Sequence, residues 1–242
     1  MKRLKTRFEY LKHNLNNMAE LVLEQVLDLS DSFEQDNYAL ADEILHRDVK
    51  IDHLEKENDN ISQSAILDAV ASRQAMGLAG QENELLYKND PLRFALSSIR
   101  ITRHLERIGD NVVNAAHSWK NQEIPPGFFI ENRHFQLMLS RVVTIVGMAV
   151  ESLVEEKNRF FGSIERVDAE LDLHCQNAFK ELIKMNSQNA LLVADMYRII
   201  LSLERMGDLS VNIAEELVRL STGIDLRHRS KSFKPNTSYL NK

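Results

Sequence analysis

Apolar residues recur at helical spacing along most of this chain. Leu11, Leu15, Met18, Leu21, Val22, Val26 and Leu29 fall three or four apart, which places them on one face of a first helix. A turn at Asn37 and Tyr38 separates it from a second, long helix carrying Leu40, Ile44, Ile51, Leu54 and Ile61 and running towards Val70. Gly77, Gly80 and Asn89-Asp90-Pro91 mark a break. Asp90 suits an N-cap and Pro91 a first helical position, so a third helix is expected from there through Ile99, Ile101, Leu105, Ile108 and Val112 to Trp119. Pro125-Pro126-Gly127 is the strongest punctuation and lies near the middle. Beyond it the pattern predicts helices over 130–156, 160–185 and 190–220, with Gly223 as the stop. No long segment alternates strictly, so no strands are expected.

The second half repeats the first. Leu105-Glu106-Arg107-Ile108-Gly109-Asp110-Asn111 is echoed by Leu203-Glu204-Arg205-Met206-Gly207-Asp208-Leu209, and Asn114 and Ala116 match Asn212 and Ala214. Asp48 and Asp52 bracket Ile51 as Asp168 and Asp172 bracket Leu171. The expected fold class is therefore all-α, two tandem pseudo-repeated three-helix bundles with six long helices in all. The first bundle takes residues 1–124 and the second 128–222, with a hinge between them and a polar C-terminal tail at 223–242. The first half has more residues between its acidic pairs, which points to a longer helix pair or to an insertion between Ser72 and Lys88.

The repeated phrase is costly for a helix. Residues four apart share a face, and two carboxylates there repel by roughly 0.2–0.5 kcal/mol. A glycine inside a helix costs about 1 kcal/mol relative to Ala. Both costs recur at matching places, which implies a cation on the carboxylates. Two pairs on adjacent helices make a four-carboxylate site per bundle: Asp48, Asp52, Glu106 and Asp110 in the first, Asp168, Asp172, Glu204 and Asp208 in the second. Carboxylate-only sets suit hard cations such as Mg²⁺, Ca²⁺ and Mn²⁺, and iron when several of them bridge it. A small residue at Gly109 or Gly207 lets a facing helix or a metal-bound water approach.

Simpler explanations exist for each feature. A helical chain with 36 acidic residues presents some pairs four apart by chance on solvated faces. Salt bridging is another, since Arg107 and Arg205 follow each Glu. Successive helical residues point roughly 100° apart, so these arginines are expected to pair elsewhere. Glu43-x-x-His46 and Glu131-x-x-His134 have the spacing of di-iron bundle ligands, but neither recurs in the other half. His53 and His174 are the only histidines close in sequence to the acidic pairs.

Composition narrows the classes. The chain has 242 residues, 43% hydrophobic and 27% charged, enough for a soluble bundle with a real core. A net charge of −6 lacks the basic footprint of a nucleic-acid binder. Cys175 is the only cysteine, so no internal disulfide forms and a cytoplasmic location is expected. The basic N-terminus has no apolar run behind it, so it is not a signal peptide. The most apolar stretch, 142–150, falls short of the roughly 20 residues of a membrane span. No phosphate loop, nucleophile elbow or Cys/His zinc spacing occurs, and no nucleophile–base pair suggests an enzyme.

Two tandem three-helix units with these acidic pairs, and with Glu-Arg-Ile-Gly-Asp and its variant, resemble the PhoU family of phosphate-transport regulators. The resemblance runs from about Phe8 to Arg229 and includes Gly223-Ile224-Asp225-Leu226-Arg227-His228. It implies that the eight carboxylates named above bind metal (Mg, Mn, Fe or Zn) and that the protein is a cytoplasmic homodimer without catalytic residues. It also implies that the protein is peripheral to the membrane through protein partners alone. Those partners would be the ATPase subunit of a phosphate ABC transporter and a sensor histidine kinase, and the role would be negative regulation of the phosphate-starvation response. Two other classes fit the residues: a carboxylate-bridged metal enzyme of helical-bundle type, and a structural helical oligomerisation module.

Overall fold

A computed structural model describes residues 2–75, 90–120, 124–184, 189–223 and 226, with side chains from residue 6 onward. Every regular element among them is helical: α1 (Lys2–Glu34), α2 (Tyr38–Ala75), α3 (Pro91–Lys120), α4 (Phe128–Glu131), α5 (Arg133–Val154), α6 (Phe161–Lys184) and α7 (Ala190–Thr222). The starts follow cap chemistry. Asn37 Oδ1 accepts from Ala39 N–H at the head of α2, and Asp90 Oδ1 accepts from Leu92 N–H at the head of α3. Asn189 Oδ1 accepts from Leu191 and Leu192 N–H at the head of α7. Each such cap stabilises its helix by about 1 kcal/mol. Helix α7 ends at Gly223, whose φ of 79° lies in the left-handed region that favours glycine.

The architecture is the expected one, three long helices and then three more. α1, α2 and α3 pack on one another, as do α5, α6 and α7. The insertion proposed between Ser72 and Lys88 falls mostly outside the described residues, as do Gly77, Gly80 and nearly all of the tail. One boundary differs. A single helix was expected over 130–156, but Asn132 takes an extended backbone conformation (φ −93°, ψ 106°) and divides it into α4 and α5. Its side chain accepts from His134 and Phe135 N–H, so the chain restarts a helix there instead of continuing one.

The apolar stretch in α5 is also longer than its 142–150 centre suggests. Among the described residues, α5 is the one helix long and apolar enough to cross a membrane by length and composition. Phe135, Met138, Leu139, Val142, Ile145, Val146 and Ala149 bury one face of it in the bundle, as in a core helix.

The two units share one continuous core. α3 packs against α7, and α1 packs against α5. The segment expected to act as a hinge is packed as well. Gly127 N–H donates to Asp36 Oδ2 at 2.8 Å, and Ile124 is buried. Phe129 stacks on Phe33 of α1 with ring centroids 4.3 Å apart, and Trp119 of α3 meets Phe33 edge-on at 5.2 Å. At the α3–α7 seam, Glu216 is buried and takes Arg100 of α3 at 3.3 Å, Arg219 at 3.5 Å and the Ser97 hydroxyl at 3.4 Å.

Candidate metal centre

Each unit places its acidic pairs on facing helices. In the first, Asp48 and Asp52 lie on α2 and Glu106 and Asp110 on α3; in the second, Asp168 and Asp172 lie on α6 and Glu204 and Asp208 on α7. Gly109 lets α3 approach α2. A Cβ at Gly109 would stand 3.6 Å from Asp48 Oδ1, 3.5 Å from Ile51 Cδ1 and 3.3 Å from Gln25 Oε1. Gly207 does the same more tightly, with a Cβ 3.0 Å from Asp168 Oδ1 and 2.6 Å from Leu171 Cδ2. The repeated glycine therefore lies directly over the first carboxylate of each pair, and at Gly207 the facing Leu171 leaves no room for a Cβ.

This closeness raises carboxylate pKa values. Burial, then Asp110 and Glu55, push Glu106 up to about 7. Burial, then Asp52 and Asp110, raise Asp48, and the Gln25 amide opposes the shift. In the second unit burial, then Asp172, Asp208 and Glu204, push Asp168 up to about 7. Burial, Asp172 and Asp208 raise Glu204, and burial and Asp172 raise Asp208. Members of both acidic pairs thus feel one another within each unit. Among the described residues, no three His, Cys, Asp or Glu side chains converge closely enough to enclose an ion.

The donor set nevertheless fits a cation on a structural ground. Each site has a buried acceptor oxygen with no donor, pressed against its glycine: Gln25 Oε1 in the first and Asp168 Oδ1 in the second. Buried polar atoms are nearly always paired, and an acceptor oxygen beside a carboxylate cluster suits a hydrogen-bond donor or a cation.

Several participants escape a reading by motif. Gln25 of α1 faces the first site, with its Nε2 donating to the Ile44 carbonyl at 3.2 Å. It lies between Val22 and Val26 on the buried face of α1, and a polar residue there is the available signal. Glu55 lies three residues after Asp52, and Glu165 three before Asp168, so the fifth carboxylate comes from opposite ends of the pair in the two units. In the shared register Glu55 corresponds to Cys175, which is buried next to Glu204 and Asp172. Arg107 and Arg205 are exposed, and Arg205 lines a groove with Asn114, His117 and Arg198. His53 is exposed, in a shallow groove on the α1–α2 surface.

Two duplicated three-helix units on one core, each presenting carboxylate pairs from facing helices across a glycine contact, define a tandem helical bundle with one acidic centre per unit. The family model described as PhoU domain matches residues 15–118 and again 135–217. The chain belongs to the PhoU family. It is 27% identical over 227 residues to a phosphate-specific transport system accessory protein PhoU homolog of Pseudomonas aeruginosa, covering 91% of this chain and 86% of the relative. A homolog of the same description from Clostridium acetobutylicum is 23% identical over 218 residues, covering 89% and 92%. The crystal structure of PhoU from Pseudomonas aeruginosa superposes with a TM-score of 0.72 at 24% identity, over 91% of this chain and 99% of that one. That of the phosphate transport system regulatory protein PhoU from Streptococcus pneumoniae gives 0.71 at 19% identity, over 92% and 99%. These two likenesses establish the fold.

Proposed function

We propose that this protein is a non-catalytic, metal-binding regulator of phosphate transport that acts as a cytoplasmic adaptor. The observation that carries the metal half is the orphan acceptor oxygen beside the glycine in both units, within carboxylate clusters whose members raise one another's pKa. The relatives' description as phosphate-specific transport system accessory proteins supports the transport half.

Asp48, Asp52, Glu106 and Asp110 would hold metal in the first unit, and Asp168, Asp172, Glu204 and Asp208 in the second. Mg, Mn, Fe and Zn all fit these carboxylates to different degrees, the hard ions best. When bound, the ion supplies positive charge that neutralises the clustered carboxylates. The chain's own residues do the rest. Gly207 sets the helix spacing in the second unit, Gly109 holds the matching place in the first, and Gln25 orients towards Asp48. The helices carrying the carboxylates become a fixed outer surface for partners. In this proposal those partners are the ATPase subunit of a phosphate ABC transporter and a sensor histidine kinase. Bridging them represses the phosphate-starvation response, with a homodimer as the working unit.

The test is affinity capture of the tagged chain from its host in Mn²⁺ and again in chelator, with the Glu106→Ala/Asp110→Ala variant alongside. Metal-dependent recovery of the transporter ATPase or the kinase, lost in the variant, supports the proposal. Metal binding by the folded variant at wild-type affinity and stoichiometry refutes the site. Recovery of neither partner in either condition refutes the adaptor role.

A further inference from the structure

The two units differ on the face of their middle helix that lies just beyond the acidic pair. In the register that aligns Asp48 with Asp168, Leu54 and Ile61 of α2 correspond to His174 and Glu181 of α6. Leu54 and Ile61 pack against the core, as the shared fold asks. α6 instead carries a histidine and a carboxylate there, and both meet a second histidine from the first turn of α5.

The arrangement is held from several sides. His134 Nδ1 faces His174 Nδ1 at 3.4 Å. The other nitrogen of His134, Nε2, lies 3.6 Å from Glu181 Oε1. The second oxygen of Glu181 accepts from Asn132 Nδ2 at 3.3 Å. Asn132 is also the N-cap of α5, accepting from the backbone N–H of His134 itself. The cap, the carboxylate and the ring thus fix one another across α5 and α6.

A separation of 3.4 Å is long for a hydrogen bond between two imidazoles, where about 2.7–3.2 Å is usual for a nitrogen donor. It matches two nitrogens sharing one tetrahedral ion, since bonds of about 2.05 Å place them about 3.3 Å apart. A carboxylate beside the far ring nitrogen, as Glu181 lies beside His134 Nε2 at 3.6 Å, is the usual neighbour of a metal-bound histidine, where it favours one tautomer and raises ligand basicity. Imidazole favours borderline ions, whereas the carboxylate clusters favour hard ones.

We propose that His134 and His174 form a separate metal site that takes a borderline divalent ion such as Zn²⁺, Ni²⁺ or Cu²⁺ on two imidazole nitrogens, with water completing its shell. No third His, Cys, Asp or Glu among the described residues joins them, so the ion is held at two points and stays exchangeable. Bound, it ties the start of α5 to α6 in the second unit alone. The site does not depend on the function proposed above.

The experiment uses the untagged full chain with Mg²⁺ in excess, titrated with Cu²⁺ and read by electron paramagnetic resonance. Wild type should show coupling to two nitrogens. His134→Ala and His174→Leu, the second installing the residue that the first unit carries, should each lose that pattern and bind at least tenfold more weakly. Glu181→Gln should keep both nitrogens and weaken binding about tenfold, the lower end for a supporting residue. Asp168→Asn/Asp208→Asn should leave the signal unchanged. Persistence of the two-nitrogen signal without His134 and His174, its absence from wild type, or its loss in the Asp168/Asp208 variant would each overturn the proposal.

Discussion

The two glycines at the acidic centres predict opposite responses to the same substitution. Glycine to alanine inside a helix is intrinsically favourable by about 1 kcal/mol. At Gly109 the new Cβ meets nothing closer than 3.3 Å, and that atom is the end of the Gln25 side chain. Gly109→Ala should therefore be neutral or stabilising by up to about 1 kcal/mol. At Gly207 the Cβ would stand 2.6 Å from Leu171 Cδ2, and Leu171 is fully buried, so it must change rotamer or push α6 away from α7. Overpacking of this kind costs about 1–3 kcal/mol, which outweighs the propensity gain. The propensity gain is common to both, so Gly207→Ala should be the less stable of the two variants by about 1–3 kcal/mol. In a chain of this size each kcal/mol is about 2–4 °C in Tm. Urea unfolding in chelator, with the slope checked for constancy, measures both. Because Asp168 Oδ1 is only 3.0 Å from the same Cβ, Gly207→Ala should also weaken metal binding in the second unit more than Gly109→Ala does in the first. Equal stability of the two variants would refute the close-approach account of the repeated glycine.

Other outcomes follow from burial and charge. Folded Asp168 and Glu106 are raised to about 7, far above an unfolded carboxylate at about 4. Their protonation therefore favours the folded state, a contribution fully present below about pH 4 and lost as pH rises through about 7. In chelator, Tm should accordingly rise as pH falls from 8 to 6, and saturating Mn²⁺ should flatten that slope; a Tm that falls over this range would contradict the carboxylate packing. Phe33→Ala removes a fully buried ring that stacks on Phe129 and meets Trp119, and should cost about 3–5 kcal/mol by urea unfolding followed by tryptophan fluorescence. Burial and the nearby Glu204, Asp172 and Asp168 push the Cys175 thiol above its ordinary range, so a thiol reagent at pH 8 should label it only on unfolding.

Most of the helical layout was legible in the chain because apolar spacing and caps act locally. Leu11, Leu15, Met18, Val22, Val26 and Leu29 are all buried, and Asp90 and Gly223 stand at helix ends as their chemistry requires. Asn132 was legible in principle, being a capping residue within an otherwise helical pattern. The eight carboxylates stand out in the sequence because the duplication repeats them, and the fold sets each pair on the helix facing its companion pair. What spacing could not give is the set of neighbours brought in from elsewhere in the fold. Gln25 reaches the first centre from α1, and Glu216 gathers Arg100 and Ser97 across the seam from α3. The packed state of 124–129 also escaped notice, since Pro-Pro-Gly specifies a turn but not what it rests on. Phe33 and Trp119 decide that, and they lie on other helices.

The α3–α7 seam carries a trace of how such a chain can arise. The helices run antiparallel, and Ser97 of α3 meets Glu216 of α7. In the register of the repeated phrase their counterparts are Asp195 and Ser118, and Ser118 shares a groove at the other end of the seam with Arg198 and Ser202. The seam therefore has the form of a self-complementary contact, the kind by which two identical subunits pair about a twofold axis. Two identical half-length chains can build such a contact as a dimer, and joining them in one chain makes the pairing permanent. Once the copies were joined, each was free to change alone. That freedom accounts for an acid at position 55 where its twin has a thiol at 175, and for a histidine at 174 where its twin keeps a leucine at 54.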